Sequence, residues 1–255
     1  MSRPGIVLLI HGLPLWRDQA AGWPRACAVA IRQAGAVPLT FTYPRWVGWS
    51  AFAWPGGPMA QGLVRRLAEE CRRIGHRYGP PGIIAHSFGS VLITRALAEG
   101  APPVELSGLI LFGSILPEDF RWEVLMERRQ IPVGRLRNEL GIHDPPIRWA
   151  AYCRRMGLPY GASGLVGFRP APGQSPIDAP YPRGDVGAAS LARHCREVWL
   201  PFLGLGKTRR AAPRSTEAPA RPPRRPRRDP SRAAESGART RSGASGPGRS
   251  PRSSS

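Results

Sequence analysis

Short apolar runs alternate with longer amphipathic stretches along most of the chain. Five of the apolar runs have the length of a strand, at residues 6–10, 37–42, 83–85, 109–112 and 133–138. Stretches with helical periodicity cover residues 19–33, 59–77, 91–99, 147–156 and 191–200. Strands that alternate with helices are typical of a parallel sheet with helices packed on it. The pattern therefore predicts an α/β fold, a mostly parallel, doubly wound sheet with helices on both faces.

Three stretches between these elements have a less definite pattern. Residues 46–57 are rich in Trp, Gly and Pro, which predicts a loop. At residues 122–129 the sequence predicts an irregular or helical excursion after the fourth strand. Residues 165–168 are consistent with a last strand or with one arm of a hairpin.

The C-terminal stretch has a different composition from the rest of the chain. From Lys207 to Ser255 the sequence contains no aromatic residue and no Ile, Leu, Val or Met. Such a segment cannot bury enough apolar surface to offset the entropy lost on ordering. We therefore expect one folded domain at residues 1–206 and a disordered Arg/Pro/Ser-rich tail at residues 207–255.

The tail also carries more than half of the formal net charge of +20. An arginine-rich segment binds nucleic acid or another polyanion through phosphate contacts that weaken with salt. The competing interpretation is a passenger segment, since Arg, Ala, Gly and Pro are the residues that GC-rich codons encode. The sequence has no base-reading motif to accompany the tail, which favours the passenger interpretation.

Several classes of protein are not indicated by the sequence. The longest apolar runs are much shorter than the ~20 residues of a membrane-spanning helix, and the N-terminus lacks the pattern of a signal peptide. Cys27, Cys71, Cys153 and Cys195 are widely spaced, which favours reduced core residues over disulfides or metal ligands. We therefore expect a cytoplasmic protein that needs no metal or cofactor.

The segment around Ser87 is the strongest candidate for chemistry. An apolar strand precedes Ser87 and a helix follows it, and small residues stand two positions before and after it, Ala85 and Gly89. This arrangement matches the G-x-S-x-G turn, in which a tight strand-to-helix bend exposes a nucleophilic serine, with the first glycine relaxed to alanine. The helix that begins after Ser87 directs its N-terminal amides at the reaction centre. An ordinary strand-to-helix turn is the alternative interpretation.

With this motif, residues 5–203 resemble the α/β-hydrolase family. The first strand, which ends at His11-Gly12-Leu13, is similar to the family's oxyanion strand. The resemblance implies an oxyanion hole formed by the backbone amides of Phe88 and of Leu13 or Gly12. It also implies structural roles for His11 and for His86, the residue before the nucleophile.

The resemblance also indicates where the acid of a catalytic triad is placed. In the family the acid follows the strand after the excursion, and residues 137–145 fit that position. The Gly-x-x-Asp-Pro spacing points to Asp144, which would orient an imidazole and stabilise its protonated form. A turn-forming Asp-Pro pair is the alternative.

The base of the triad is the point where the sequence departs from the family. The family's histidine precedes the closing helix, and Val186 occupies the corresponding position. His194 is the leading substitute, although it is placed inside a helix, where a histidine usually faces solvent or packs. His143 and His76 are weaker candidates. The other interpretation is that the base is missing.

Two functional hypotheses follow from these residues. The first is a serine hydrolase that acts on a small-molecule carboxylic ester or related acyl bond through an acyl-serine intermediate. Ser87 would be the nucleophile, Asp144 the acid and His194 the base. The second is a catalytically impaired α/β-hydrolase-like protein that acts as a binding module. A third hypothesis, nucleic-acid association through the tail, has less support.

Overall fold

The computed structural model describes residues 4–13, 19–141, 154, 157–169, 177–180 and 188–205. The strands are β1 (Ile6–Ile10), β2 (Val37–Phe41), β3 (Gly82–His86), β4 (Gly108–Phe112), β5 (Leu136–Leu140) and β6 (Ile177–Pro180). The helices are α1 (Gln19–Gln33), α2 (Arg45–Ala53), α3 (Pro58–Tyr78), α4 (Phe88–Glu99), α5 (Trp122–Glu127), α6 (Ser163–Val166) and α7 (Ala188–His194). A π-helical turn (Cys195–Trp199) and α8 (Leu200–Phe202) continue α7 without a break, and the three together are called the C-terminal helix. Backbone contacts divide the chain into residues 1–210 and residues 211–255, and all described residues belong to the first unit.

The six strands form one parallel sheet in the order β2-β1-β3-β4-β5-β6. Side chains that alternate along β1 supply two separate hydrophobic clusters. Ile6, Leu8 and Ile10 point to one cluster, and Val7 and Leu9 to the other. Apolar side chains on both faces explain why β1 is a continuous apolar run rather than an alternating one.

Helices cover both faces of the sheet. The first cluster contains side chains of α2, α3 and α4, whereas the second contains side chains of α1 and the C-terminal helix. The expectation of a parallel α/β fold with helices on both faces is therefore confirmed.

The strand order places a crevice at the carboxyl ends of β1 and β3. From β1 the chain moves outward to β2 and then returns to the other side of β1 to form β3. In open parallel sheets, ligands bind where the strand order reverses in this way. Gly12 follows β1 and Ser87 follows β3, so the two residues meet at this crevice.

The prediction of a loop at residues 46–57 is partly wrong, because α2 (Arg45–Ala53) lies there. Pro44 at the N-cap has extended backbone dihedrals that suit a helix start. Gly48 serves close packing within this helix, since a Cβ at that position would lie 2.6 Å from the Tyr43 ring. Ala51 and Phe52 anchor the helix in the core.

The prediction that residues 165–168 form a strand or a hairpin arm is also wrong. Leu165 and Val166 end the short helix α6, Gly167 and Phe168 follow it, and the sixth strand is β6 (Ile177–Pro180). Val166 is exposed, whereas the Gly164 amide donates a hydrogen bond of 2.8 Å to the Ser114 carbonyl. That backbone contact holds the segment in a turn.

The fifth strand is displaced from its predicted range of 133–138. Gly134 has a positive φ of 74°, and the Arg135 amide bonds the Pro132 carbonyl at 3.0 Å, which closes a turn over these residues. The strand begins after this turn and extends to Leu140. Glu139 is therefore inside the sheet.

Several other expectations can be compared with the described residues. Among these residues no helix is long and apolar enough to cross a membrane, and no cluster of His, Cys, Asp and Glu has the arrangement of a metal site. Cys27, Cys71 and Cys195 are buried free thiols, as expected. Cys153, the predicted helix at residues 147–156 and the tail at 207–255 lie outside the described residues, apart from Arg154.

Candidate active site at the carboxyl edge

Ser87 has a backbone conformation that is rare for a residue with a side chain. Its φ is 50° and its ψ is −119°, at the junction of β3 and α4. In the described part of the chain, Arg129 is the one other non-glycine residue with positive φ. Such a conformation costs on the order of 1–3 kcal/mol and persists only where its surroundings enforce it.

Three hydrogen bonds hold the Ser87 backbone in place. Its amide donates to the Phe112 carbonyl on β4 at 3.1 Å. Its carbonyl accepts from the amide of Ser90 at 2.9 Å and from the Ser90 hydroxyl at 2.6 Å. The sheet and the first turn of α4 therefore both stabilise the bend, and the hydroxyl of Ser87 itself is not used for this purpose.

Two glycines, Gly89 after the bend and Gly12 after β1, permit a very close approach of β1 to the bend at Ser87. A Cβ at Gly89 would lie 2.5 Å from the Ile10 carbonyl oxygen. A Cβ at Gly12 would lie 2.6 Å from the Ser87 Cβ and 3.1 Å from its Oγ. The crevice between β1 and β3 is thus narrow, and the Gly12 backbone forms the wall that faces Ser87.

The backbone after β1 is oriented by Tyr43. The Tyr43 hydroxyl donates to the carbonyls of His11 at 2.9 Å and Gly12 at 3.2 Å, and its ring stacks on His11 with 4.4 Å between the centroids. His11 Nδ1 lies 2.7 Å from the same Gly12 carbonyl. In a trans peptide the amide of the next residue points opposite to the carbonyl. The Leu13 N–H therefore points away from Tyr43.

Phe88 is the first residue of α4, and the first amides of a helix have no acceptor within that helix. The Phe88 N–H therefore belongs to the positive end of the helix dipole, directly after Ser87. The structure thus brings Gly12, Ser87 and the start of α4 together. The use of the Leu13 and Phe88 amides as an oxyanion hole stays a prediction.

His86 is held in an aromatic environment below the bend. Its ring packs on Phe112 at 4.5 Å and lies 6.1 Å from the Trp23 ring. Burial, with a smaller contribution from the nearby His11, lowers the pKa of His86 to about 4. Its buried Nδ1 has no hydrogen-bond partner. His86 is therefore a neutral packing residue at pH 7.

His194 lies at the end of α7 and is largely buried. Its Nε2 lies 3.1 Å from Oε1 of Glu139, and its ring meets the Trp199 ring edge-on at 5.3 Å. His194 therefore packs inside the fold and contacts a carboxylate that the sequence did not predict, and its role as the base stays a prediction.

No described histidine forms a hydrogen bond with the Ser87 hydroxyl. The polar contacts of the His11 and His194 rings described above involve Gly12 and Glu139, and His76 is exposed on α3. His143, Asp144 and Val186 lie outside the described residues. The structure therefore does not pair Ser87 with a base among the residues that it describes.

Glu139 is a buried carboxylate in the sheet that the sequence did not single out. Its side chain is fully buried, and Oε1 accepts from Arg137 Nε at 2.6 Å, from Trp199 Nε1 at 2.9 Å and from the His194 ring at 3.1 Å. Burial alone would raise the pKa of this carboxyl, but the hydrogen bonds from His194, Arg137 and Trp199 outweigh burial and lower it. Glu139 is therefore ionised at neutral pH.

Solved structures that resemble this fold are mostly esterases and lipases. A cutinase-like protein from Cryptococcus sp. has 11% identity and a TM-score of 0.40, over 81% of this chain and 100% of that chain. The lipase BlEst2 of Bacillus licheniformis has 14% identity and a TM-score of 0.40, over 79% and 92%. The catalytic core of an acetyl xylan esterase from Trichoderma reesei has 10% identity and a TM-score of 0.34, over 80% and 98%.

No protein-family model matches the chain, and no curated protein sequence matches it. The structural likenesses are too weak to bear on chemistry. The assignments of residues therefore depend on the strands and side chains of this chain.

The close approach at Gly89 predicts a large effect of one methyl group. Gly89→Ala is expected to lower the free energy of unfolding by about 2–4 kcal/mol, because the added Cβ collides with the Ile10 backbone. Gly62→Ala is the matched control, since a Cβ there meets nothing within 4 Å on helix α3. The control is expected to gain about 0.5–1 kcal/mol. Urea denaturation measures both, and equal effects of the two variants would contradict the packing described.

The buried carboxylate predicts a pH-dependent contribution to stability. Glu139→Gln is expected to lower the free energy of unfolding at pH 7 by about 3 kcal/mol, because the Arg137 and His194 contacts lose their ionised partner. The folded pKa is lowered, so this contribution is complete above the ordinary value of 4.5 and is lost as pH falls below it.

The difference between wild type and Glu139→Gln should therefore shrink in acid. Denaturation at pH 7 and pH 4 measures this change, with the exposed Glu105→Gln as a control that changes little at either pH. A difference between wild type and Glu139→Gln that grows as pH falls would show that Glu139 is not held ionised.

Proposed function

We propose that this protein is a serine hydrolase that cleaves a carboxylic ester or related acyl bond through an acyl-serine intermediate. The observation that supports this proposal is the backbone conformation of Ser87, which has a φ of 50° and a ψ of −119° between β3 and α4. A strand-to-helix bend of this kind lifts a serine hydroxyl to the carboxyl edge of the sheet. The strain in the bend supports a functional role, since an ordinary strand-to-helix turn does not require it.

In the proposed reaction, the Ser87 hydroxyl attacks the substrate carbonyl and transfers its proton to a base. The oxyanion that forms is stabilised by the Leu13 amide, which Tyr43 orients through the Gly12 carbonyl, and by the Phe88 amide at the positive end of the α4 dipole. Collapse of the intermediate breaks the bond to the alcohol oxygen, which takes the proton from the base, and leaves an acyl-serine. Water then attacks the acyl group and gives a proton to the base, and that proton returns to the serine as the carboxylic acid is released.

His194 is the proposed base and Asp144 the proposed acid. The contact between His194 and Glu139 favours one tautomer of the ring, in which the Nε2 proton is donated to the carboxylate. For His194 to serve Ser87, the imidazole must reach the crevice from this position. The proposal therefore requires a rearrangement of the C-terminal helix when substrate binds.

A second candidate function is a binding module without turnover, and the Glu139 contact favours it. An imidazole fixed on a buried carboxylate has a structural use that is independent of catalysis. A bend with oxyanion donors still binds a carbonyl or carboxylate group when no base is present. If the protein is such a binding module, the crevice binds an acyl compound and releases it unchanged. Contact of residues 207–255 with polyanions is compatible with either function.

A fluorophosphonate probe that labels activated serines tests the proposal. The full-length protein is expected to be labelled, and Ser87→Ala to lose the label, because the hydroxyl is the attacking group. His194→Ala is expected to slow labelling by at least about 100-fold, since a general base contributes that much. Gel fluorescence and intact mass measure the adduct.

His76→Ala is the matched control for this experiment, because His76 is exposed in the last turn of α3, which leads into the amino end of β3, whereas Ser87 follows the carboxyl end of that strand. Its labelling should equal that of wild type. A folded wild-type protein that takes no label would refute the hydrolase and leave the binding module. Unchanged labelling of His194→Ala would refute His194 as the base while Ser87 kept its role.

A further inference from the structure

Helix α2 carries two large aromatic side chains that face the solvent. Trp46 is 63% exposed and Trp54 is 67% exposed. Trp46, Ser50 and Ala53 follow one another at the spacing of one helix face and are all exposed, and Trp54 comes directly after the last helical turn. We call these four residues the outward face of α2. A surface helix usually presents polar residues on this side, and the proposed chemistry of Ser87 uses none of the four.

The turn between α2 and α3 holds Trp54 in its exposed position. A Cβ at Gly57 would lie 2.6 Å from the Trp54 ring, so the missing side chain lets one side of the ring lie on this glycine. The Gly57 amide donates to the Trp54 carbonyl at 2.9 Å, and Gln61 Nε2 donates to the Gly56 carbonyl at 2.9 Å. Met59, in the first turn of α3, is also exposed, at 41%. Trp54 is therefore an ordered projection rather than a side chain on a loose loop.

The charge around the outward face of α2 is positive. From residue 19 to residue 68 the chain has five arginines and neither Asp nor Glu. Arg45 is exposed in the first turn of α2. Glu99 lies near the turn between α2 and α3, but it is paired at 2.7 Å with Arg95, whose guanidinium donates to the Pro55 carbonyl. The outward face therefore combines exposed indole rings with a neighbouring positive charge.

The inward side of α2 borders the Ser87 crevice. Phe52 is buried and packs edge-on against the Phe88 ring, with 5.6 Å between the centroids, and Phe88 directly follows Ser87. A Cβ at Gly48 would lie 3.3 Å from the Leu13 side chain. A surface that contacts the outward face of α2 would thus lie about one helix diameter, on the order of 10 Å, from the crevice.

We propose that the outward face of α2 docks on an anionic lipid surface. Tryptophan is enriched at the boundary between headgroups and acyl chains, because its ring is apolar and its N–H is polar. Helices that lie in this boundary present aromatic residues on one face with basic residues beside them, and Arg45 supplies attraction to anionic headgroups. A second copy of the chain would bring the same positive charge to the contact, which disfavours self-association. A neutral polysaccharide would gain nothing from Arg45.

Docking in this orientation brings the Ser87 crevice close to esters that are held in the lipid. This consequence rests on the proposed function, whereas the docking itself does not require the Ser87 hydroxyl. Lipid binding is measured without turnover, and probe labelling of Ser87 is measured without lipid. Failure of the docking and failure of the hydrolase are therefore recognised separately.

Vesicles of phosphatidylglycerol and acyl-brominated phosphatidylcholine test the proposal with the full-length protein. Bromine on the acyl chains quenches tryptophans that enter the bilayer, so the fluorescence of wild type is expected to fall. The segment 207–255 contains no tryptophan, so contact through that segment alone leaves the fluorescence unchanged. Trp46→Ser/Trp54→Ser is expected to lose most of the quenching. At raised salt, where phosphate contacts of the arginine-rich segment weaken, it should need at least roughly 10-fold more lipid for half-maximal sedimentation with vesicles.

Val133→Ser is the matched control, because Val133 is 74% exposed in the turn before β5, at the amino edge of the sheet. Its quenching should equal that of wild type. Arg45→Glu is expected to need roughly 10-fold more lipid for half-maximal quenching, since it reverses one charge at the lipid surface. The single variants Trp46→Ser and Trp54→Ser should each lose part of the quenching, and they replace the double variant if it fails to fold.

Four results would overturn the proposal. They are vesicle binding of wild type without quenching, quenching that persists in the double variant, equal quenching by vesicles of brominated phosphatidylcholine alone, and no binding to vesicles. A dimer in light scattering that the double variant converts to a monomer would assign the outward face of α2 to a second copy of the chain, and would overturn it as well.

Discussion

The strained backbone at Ser87 is the constraint on which the rest of the carboxyl edge depends. A φ of 50° is a strained conformation for a serine. The hydrogen bond from the Ser87 amide to the Phe112 carbonyl in the sheet and those from Ser90 in the first turn of α4 offset this strain. The bend also determines which neighbours can be present. Gly89 lies too close to β1 for a side chain, and Gly12 lies too close to Ser87 for one. The local geometry is thus explained by one residue and its contacts.

A second constraint is the ionised carboxylate of Glu139 inside the sheet. It lies beside Phe112, the residue whose carbonyl holds Ser87, and two of its three partners, His194 and Trp199, connect β5 to the C-terminal helix. A charge in this position is tolerated because its hydrogen bonds offset the cost of removing it from water. The crevice and the C-terminal helix are therefore connected through two adjacent strands, which is the route by which movement of that helix would affect Ser87.

Features that depend on neighbouring residues in the sequence were predictable. The first four strands follow from their apolar runs, and the Ser87 bend follows from Ala85 and Gly89 around a serine between a strand and a helix. Helix α2 was missed because the Trp, Gly and Pro content of residues 46–57 suggests a loop, whereas in the fold the missing side chain of Gly48 makes room for Tyr43.

The contacts of Glu139 with His194 and with Trp199 were not predictable from the sequence. Each joins residues that are far apart in the chain, so no local spacing signals the contact. The position of Glu139 at the end of an apolar strand was a signal, but its meaning depended on a strand boundary that the turn at Gly134 displaced. Asp144, at the place that the family resemblance indicated, lies outside the described residues.

The unfolding free energies of Ser87→Gly and Ser87→Ala, compared by urea denaturation, test the central claim most directly. Both variants lack the hydroxyl, so their difference reports the backbone alone. If φ is held positive at this position, Ser87→Gly should be more stable than Ser87→Ala by about 1 kcal/mol, because glycine adopts this conformation without strain. Equal stability, or a more stable alanine variant, would contradict a strained bend at Ser87 and with it the basis for assigning the nucleophile.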